Sequence, residues 1–137
     1  MKKHTLSWWK HAADKTFSLY IRRRESDRNG NVVCVTCDKI DHWKRMHCGH
    51  YIPRNHLSTR FDERNVACQC PGCNLFGAGK HDVYAIKLIS KYGKDILADL
   101  NAQKNRAIKY TISNYQEMID KWTDFLAGFD VRDRGTF

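Results

Sequence analysis

CVTCDKIDHWKRMHCGHYIPRNHLSTRFDERNVACQCPGCN, residues 34–74, begins and ends with a Cys-x₂-Cys turn. The first turn contains Cys34 and Cys37, and the second contains Cys70 and Cys73. The residues inside the turns, Val-Thr and Pro-Gly, are compact and favour tight backbone conformations. Each turn places two thiolates about one tetrahedral edge apart, so two turns complete a four-sulfur zinc shell. We therefore predict that these four cysteines hold a structural Zn²⁺.

The two Cys-x₂-Cys turns are separated by residues 38–69, which is longer than the gap of about 15–20 residues in a common zinc ribbon. The sequence therefore predicts a functional insertion between them. Cys68 competes with Cys70 for the fourth ligand position, although the x₂ spacing favours Cys70. Cys48 and Cys68 are then expected to be free or buried thiols. The alternative is that the cysteines form disulfides or core pairs.

The charge of the chain is unevenly distributed along its 137 residues, a length that suits one domain. Lys and Arg number 24 against 15 Asp and Glu, a net charge of +9. Residues 1–30 hold 8 basic and 3 acidic side chains, residues 31–80 hold 7 and 4, and residues 81–137 hold 9 and 8. A basic surface around candidate metal ligands favours a nucleic acid over a membrane as partner. The alternative is that the charge only keeps the chain soluble.

The chain has no apolar run of 18 residues and no apolar stretch like that of a signal peptide near Met1. These features predict a cytoplasmic protein without a membrane partner. In that compartment cysteines are metal ligands more often than disulfides, which supports the zinc prediction.

Apolar periodicity predicts an α+β fold in one domain, with short strands over 32–35 and 45–53. The expected divisions are an N-terminal helix over 5–26, a zinc-bound core over 32–82, C-terminal helices over 83–128, and a tail over 129–137.

The last predicted helix has an apolar stripe that runs from Tyr115 to Leu126. A Ser113…Gln116 capping pattern precedes it, and Gly128 is expected to end it. The stripe suits the core or a contact between subunits, so a homodimer is possible.

The insertion contains residue types that suit phosphodiester hydrolysis. That reaction needs a base to deprotonate water and a cation to neutralise charge on the phosphate. His50 could serve as a base at neutral pH. An amide oxygen of Asn74, directly after the last cysteine, could bind Mg²⁺, which takes few protein ligands and keeps several waters.

The order Cys-x₂-Cys, Gly-His-x₂-Pro, Asn, Cys-x₂-Cys-Asn resembles the HNH branch of the His-Me finger (ββα-metal) endonucleases. It is most similar to the lambdoid-phage NinG/Rap recombination endonucleases. The similar stretches are Cys34–Cys37, His47–Tyr51, Arg60-Phe61, Asn65, Cys70–Asn74 and Tyr84–Gly93. The resemblance extends from about Leu6 to Leu126, and it is specific between residues 34 and 93.

This resemblance implies a ββα-metal core and a role for each matching residue. His50 would be the general base, and Asn65 would hold the loop that bears it. Asn74 would bind a catalytic Mg²⁺ or Mn²⁺, and the four cysteines would hold structural zinc. His47 is a second candidate for the catalytic metal, with a hydrogen-bonding role as the alternative. The candidate DNA contacts are Arg22, Arg23, Arg54, Arg60, Arg64 and Lys80, and for Arg22, Arg23, Arg60 and Lys80 the alternative is a solvated surface residue.

Two positions depart from the common HNH pattern. Many members have Asp directly before the catalytic His, where this chain has Gly49. Many also have Lys three residues after the final Asn, where this chain has Gly77, although Lys80 and His81 are nearby. Related enzymes with Gly-His-x₂-Pro use a single Asn ligand, so the departures do not exclude activity.

The resemblance implies an endonuclease that cleaves branched DNA, such as Holliday junctions and D-loops, in the cytoplasm of a bacterial host infected by phage. One alternative is a zinc-stabilised DNA-binding adaptor without catalytic activity. Another is a sequence-specific HNH nuclease of the restriction or homing type.

Overall fold

The computed structural model describes residues 3–134, in which helices surround two small antiparallel sheets. The helices are α1 (Leu6–Arg24), the single turn α2 (Leu57–Arg60), α3 (His81–Tyr92), α4 (Ile96–Lys104) and α5 (Ile112–Arg134). The strands are β1 (Asn31–Val33), β2 (Ile40–His42), β3 (His47–His50) and β4 (Val66–Gln69). Two 3-10 turns, Trp43–Arg45 and Glu63–Asn65, and a π-helical turn, Gly72–Phe76, connect them. The predicted α+β class is confirmed.

Helix α1 packs along α5, and their contact forms the largest apolar cluster. Thr5 caps α1 by accepting a hydrogen bond from the Trp8 N–H at 3.1 Å. Phe17 of α1 is buried against Trp122 of α5, with ring centroids 4.7 Å apart. Tyr115 is buried in the same cluster. Much of the apolar stripe of α5 therefore packs within the chain, while Phe125 is 50% exposed, and the homodimer stays a prediction.

Helix α5 differs from its prediction at both ends. Thr111, not Ser113, forms the cap: the Thr111 hydroxyl accepts from the Asn114 N–H at 3.1 Å, and the Asn114 side chain accepts from the Thr111 N–H. The helix also continues through Gly128 to Arg134, so residues 129–134 are helical and do not belong to a tail. Glycine inside a helix costs about 1 kcal/mol relative to alanine. Ion pairs from Arg23 to Asp130 and Asp133 stabilise the last turns.

The two sheets lie next to each other between the helices. Strand β1 pairs with β2, and β3 pairs with β4 in a register that places His47 opposite Gln69 and His50 opposite Val66. The predicted strand over 45–53 is therefore shorter, and its partner β4 was not predicted. A hydrogen bond from the Val35 N–H to the Cys68 carbonyl, 2.9 Å long, joins the end of the first sheet to the second.

Helix α3 packs against the second sheet, and α4 packs against α3 and α2. Tyr84 is fully buried, and its hydroxyl donates to the Gly49 carbonyl of β3 at 2.8 Å. Helix α3 ends at Gly93, whose φ of 100° is in the left-handed region that favours glycine. Among residues 3–134, none of the helices has the length and apolarity needed to cross a membrane.

Candidate active site

The four cysteines of the two Cys-x₂-Cys turns form a compact sulfur cluster. Their Sγ atoms all lie within 4.8 Å of one another, and those of Cys37 and Cys70 are 3.7 Å apart. A zinc tetrahedron with Zn–S bonds of about 2.3 Å has edges of about 3.8 Å, so the spacing fits the ion. Cys68 lies outside the cluster, with its Sγ 3.3 Å from the Arg22 carbonyl. The cluster could therefore hold a zinc ion with Cys70, not Cys68, as a ligand.

The surroundings of Cys34 favour a thiolate. Burial raises the pKa of this thiol, but hydrogen bonds from the Cys70 N–H, at 3.2 Å, and from Thr36 outweigh burial and lower the pKa to about 6. Thiolates are the form in which cysteines bind zinc. At Cys37 a hydrogen bond from the Lys39 backbone lowers the pKa, but burial and the neighbouring sulfurs of the cluster outweigh it and raise the pKa to about 12. The thiolate is therefore favoured at Cys34 and not at Cys37.

The cysteine cluster holds the π-helical turn Gly72–Phe76 in place. The Asn74 N–H donates to the Cys70 carbonyl at 2.9 Å, and the Gly79 N–H donates to the Cys73 carbonyl at 2.9 Å. The middle of the turn and the segment that follows it are thus hydrogen-bonded to members of the cysteine cluster. The position of Asn74 consequently depends on the integrity of the cluster.

A cleft of about 660 Å³ opens between α1, β3 and the π-helical turn. It brings together residues from distant parts of the sequence, and most of its charged side chains are basic. The residues that matter for its chemistry are Asp14, Arg22, Lys44, His47, His50, Arg54, Asn74 and His81.

His50 lies at the end of β3 with its two ring nitrogens in different surroundings. Nε2 lies 2.9 Å from the Arg60 carbonyl, which can only accept, so Nε2 carries the proton. The neutral ring then has its free lone pair on Nδ1. Burial lowers the pKa of His50 below its usual 6.5, and the charges of Arg54 and Arg60 lower it further, against the opposing effect of the hydrogen bond to the Arg60 carbonyl. The imidazole is therefore a neutral base at physiological pH.

Asn65 is fully buried and connects both sides of the loop that follows His50. Its Oδ1 accepts from the Ile52 N–H at 2.8 Å. Its Nδ2 donates to the carbonyls of Ile52, at 3.0 Å, and Thr59, at 3.1 Å. Thr59 directly precedes Arg60, whose carbonyl is hydrogen-bonded to His50. The Asn65 side chain therefore also holds the backbone that positions this carbonyl.

His47 and Asn74 lie in contact in the cleft, with His47 Nδ1 and Asn74 Nδ2 3.1 Å apart. If the amide nitrogen donates to the imidazole, Asn74 Oδ1 remains available to a cation. His47 and His50 are three residues apart on a strand, which places side chains on opposite faces when the strand is regular. Both nevertheless line the cleft, so it extends around the end of β3.

Gly49 is required by close packing between the two strands. A Cβ at this position would overlap the side chain of Gln69, which is fully buried. Gln69 in turn donates to the Gly79 carbonyl at 2.8 Å. An Asp at residue 49 therefore has no space here, which explains physically why this chain departs from the Asp-His pattern.

Two of the arginines predicted to contact DNA instead form buried ion pairs within the protein. Arg60 is buried and forms a bidentate ion pair with Asp14. Arg23 is buried between Asp130 and Asp133 and lies over the ring of Trp43. Neither guanidinium is presented to solvent, so the prediction that they contact DNA does not fit their positions.

The other predicted contacts are more accessible. Arg54 is exposed in the cleft. Arg22 also lines the cleft, and its Nε donates a hydrogen bond to the Ser18 hydroxyl. Arg64 is half-buried and paired with Asp62. Lys80 is exposed, and its side chain passes over Gly77.

Comparison with known proteins identifies the family. The family model for the bacteriophage lambda NinG protein matches residues 1–128. The chain belongs to the NinG family. Protein ninG of Escherichia phage lambda is 29% identical over 101 residues, which cover 73% of this chain and 47% of that protein. Protein ninG of Escherichia phage 933W is 29% identical, with 48% of it covered, and that of Salmonella phage P22 is 28% identical, with 47% covered.

This NinG-family chain spans about half the length of the curated relatives it matches. No solved structure matches it.

Sequence reasoning missed two residues of the cleft in this NinG-family chain. Asp14 is the single acidic residue of α1, whose other charged residues are basic. A lone carboxylate in such a helix could have suggested an ion pair with an arginine elsewhere in the fold. Lys44 lies in the 3-10 turn Trp43–Arg45, and nothing in the sequence links it to the cleft.

Proposed function

We propose that this NinG-family chain is a metal-dependent endodeoxyribonuclease of the HNH (His-Me finger, ββα-metal) superfamily. Its substrates would be branched recombination intermediates such as Holliday junctions and D-loops. The observation that carries the proposal is the meeting of His50 and Asn74 in one basic cleft. A neutral imidazole and an amide next to cationic side chains form the set that phosphodiester hydrolysis needs.

The order of elements supports the proposed superfamily. Strand β3 carries His50, β4 pairs with it antiparallel, and a helical turn carries Asn74 directly afterwards. This is a strand–strand–helix unit with the base on the first strand and the metal ligand on the helical segment. The cysteine cluster would supply a purely structural zinc at its base.

In the proposed reaction, His50 accepts a proton from the attacking water at Nδ1, while its Nε2–H stays bonded to the Arg60 carbonyl. Asn65 holds this arrangement by fixing Ile52 and Thr59. Arg54 and Lys44 would attract the phosphate backbone.

The proposed catalytic ion is Mg²⁺ or Mn²⁺, and when bound it would neutralise negative charge on the scissile phosphate. The amide oxygen of Asn74 suits these hard cations, which take oxygen ligands and retain water. An imidazole suits Mg²⁺ less well. The hydrogen bond from Asn74 to His47 therefore favours His47 as the residue that orients the ligand.

The proposed setting is the cytoplasm of the phage-infected bacterium, with DNA as the partner. A symmetric junction would suit a homodimer. The chain matches about half the length of its curated relatives. The substrate is therefore proposed for this chain and is not taken from them.

The test is a nicking assay on labelled four-way junctions with the His50→Ala variant. We expect cleavage to fall at least about 100-fold, as for loss of a general base. Junction binding without Mg²⁺ or Mn²⁺, measured by gel shift, should stay within about twofold of wild type. His56→Ala is the matched control, because His56 flanks α2 without a side-chain capping bond, and it should cleave normally.

Each alternative function has its own outcome in this assay. Junction binding by the wild-type chain without cleavage in Mg²⁺ or Mn²⁺ would favour the adaptor. Cuts at fixed sequences in linear duplex, unaffected by branching, would favour a restriction or homing type of nuclease. Wild-type cleavage by His50→Ala would refute the assignment of the base.

A further inference from the structure

Leu75 and Phe76 project from the protein directly after Asn74. Phe76 is 90% exposed and Leu75 is 61% exposed. A large aromatic side chain so fully in solvent lacks the burial that normally stabilises it. Its position therefore points to a ligand.

The surrounding backbone fixes this pair at the edge of the cleft. Asn74 on one side and Ala78 and Gly79 on the other all line it. The Gly77 N–H donates to the Gly72 carbonyl at 2.8 Å, which closes the turn around the pair. Because Asn74 on one side of the pair and Gly79 on the other are hydrogen-bonded to Cys70 and Cys73, the backbone of Leu75 and Phe76 is held in a fixed position.

The charge next to the pair indicates the class of ligand. Arg22, Lys44 and Arg54 line the same cleft, and its acidic member Asp14 is neutralised by Arg60. A basic groove beside an exposed aromatic ring is the combination that binds unpaired nucleotides, with phosphates along the groove and a base on the ring.

We propose that Phe76, assisted by Leu75, is a wedge that stacks on an unstacked base at a DNA branch point. This inference rests on the proposed function, since it takes the cleft to be the DNA-binding site. In an intact duplex each base is stacked on its neighbours, so the ring gains contact only by unstacking a step. At a branch point such a base is available, and Phe76 thereby determines the preference for branched DNA.

The test measures base unstacking without cleavage. A four-way junction carries 2-aminopurine at the branch point, and the protein is the full chain with His50→Ala, in buffer without Mg²⁺ or Mn²⁺. We expect 2-aminopurine fluorescence to change on binding, because its quenching depends on stacking. Phe76→Ala in the same background should abolish the change and weaken junction binding about 5- to 100-fold, as for loss of one stacked base. Binding to linear duplex should change less than about twofold.

Matched variants separate stacking from apolarity and from folding. Phe76→Trp should retain the fluorescence change, and Phe76→Leu should lose it, since leucine keeps apolar area without an aromatic face. Ile86→Ala removes a side chain of α3 that is 66% exposed and should have no effect. Zinc content should be equal in all variants, because none touches the sulfur cluster.

The outcomes distinguish this proposal from the nuclease proposal. Fluorescence and junction affinity unchanged in Phe76→Ala would overturn the wedge, whether or not the wild-type chain cleaves. Equal weakening on junction and duplex would also overturn it, because the ring would then be a general contact. A fluorescence change that depends on Phe76, in a chain that never cleaves, would support the wedge and refute only the nuclease. Absence of junction binding would refute both.

Discussion

The position of His50 at the end of β3 determines the pH range in which it can accept a proton. Its pKa is lowered chiefly by burial, and then by the positive charges of Arg54 and Arg60. Protonation at low pH would remove the free lone pair and place a charge in a buried, cationic environment. The neutral form is therefore retained to lower pH than in a free imidazole.

We predict that the acid limb of the nicking rate has its midpoint below pH 6.5. A base with a lowered pKa stays active above that pKa and loses activity as the pH falls through it. Arg54→Gln removes a charge that lowers this pKa, so the midpoint should move upward in that variant. Single-turnover rates at saturating Mg²⁺, between about pH 5 and pH 8, provide the measurement. A midpoint above pH 6.5 in the wild-type chain would contradict the prediction. A midpoint that moves to lower pH in Arg54→Gln would also contradict it.

The candidate residues differ in how far the sequence could predict them. His50 and Asn74 were predicted from their residue types and their positions between and directly after the cysteine turns, whereas Asn65 was indicated only by the resemblance to HNH endonucleases. The partner of Arg60 could not, because Asp14 lies 46 positions away and meets it only when α1 packs on the second sheet. From the sequence alone, Arg60 suggests a phosphate contact, because its ion pair with Asp14 is visible only in the folded chain.

At the scale of elements, the sulfur cluster and the π-helical turn behave as one unit. Asn74 and Gly79 are hydrogen-bonded to Cys70 and Cys73, so loss of the zinc shell would release the proposed metal ligand as well. Two of the six cysteines are outside this unit: Cys48 and Cys68 face each other across β3 and β4.

We predict about one zinc per chain by elemental analysis. Cys73→Ser should lose most of this zinc, lower the melting temperature, and abolish nicking through displacement of Asn74. Cys48→Ala is the matched control, because Cys48 is a half-buried thiol outside the cluster, and it should retain zinc and activity. Zinc retained in Cys73→Ser at the wild-type level would exclude the four-sulfur site.

Elements with a long apolar period were easier to predict than short ones. Helices α1 and α3 follow from repeated apolar spacing and from Gly93. Strand β4 has only four residues, and its pairing with β3 depends on a connection of 15 residues that includes α2. The end of α5 depends on ion pairs with α1, so Gly128 alone could not indicate it.

At the scale of the whole molecule, some basic residues form buried ion pairs and others line the cleft. Arg23 and Arg60 form ion pairs inside the protein, which join α1 to α5 and to α2. Arg22, Lys44 and Arg54 line the cleft. The net charge of the sequence predicted a polyanionic partner but could not indicate this division, because it depends on which carboxylates meet which guanidiniums.

This division leads to a prediction about salt dependence. Each cleft cation that contacts a phosphate displaces condensed counterions, so the logarithm of the binding constant falls linearly with the logarithm of salt concentration. Lys44→Gln and Arg54→Gln should each weaken junction binding and reduce that slope by about 1. Lys121→Gln removes an exposed cation of α5 outside the cleft and should leave the slope unchanged. Fluorescence anisotropy between about 50 and 200 mM NaCl measures these slopes. Equal reductions in all three variants would mean that DNA is attracted by the net charge and not by this cleft.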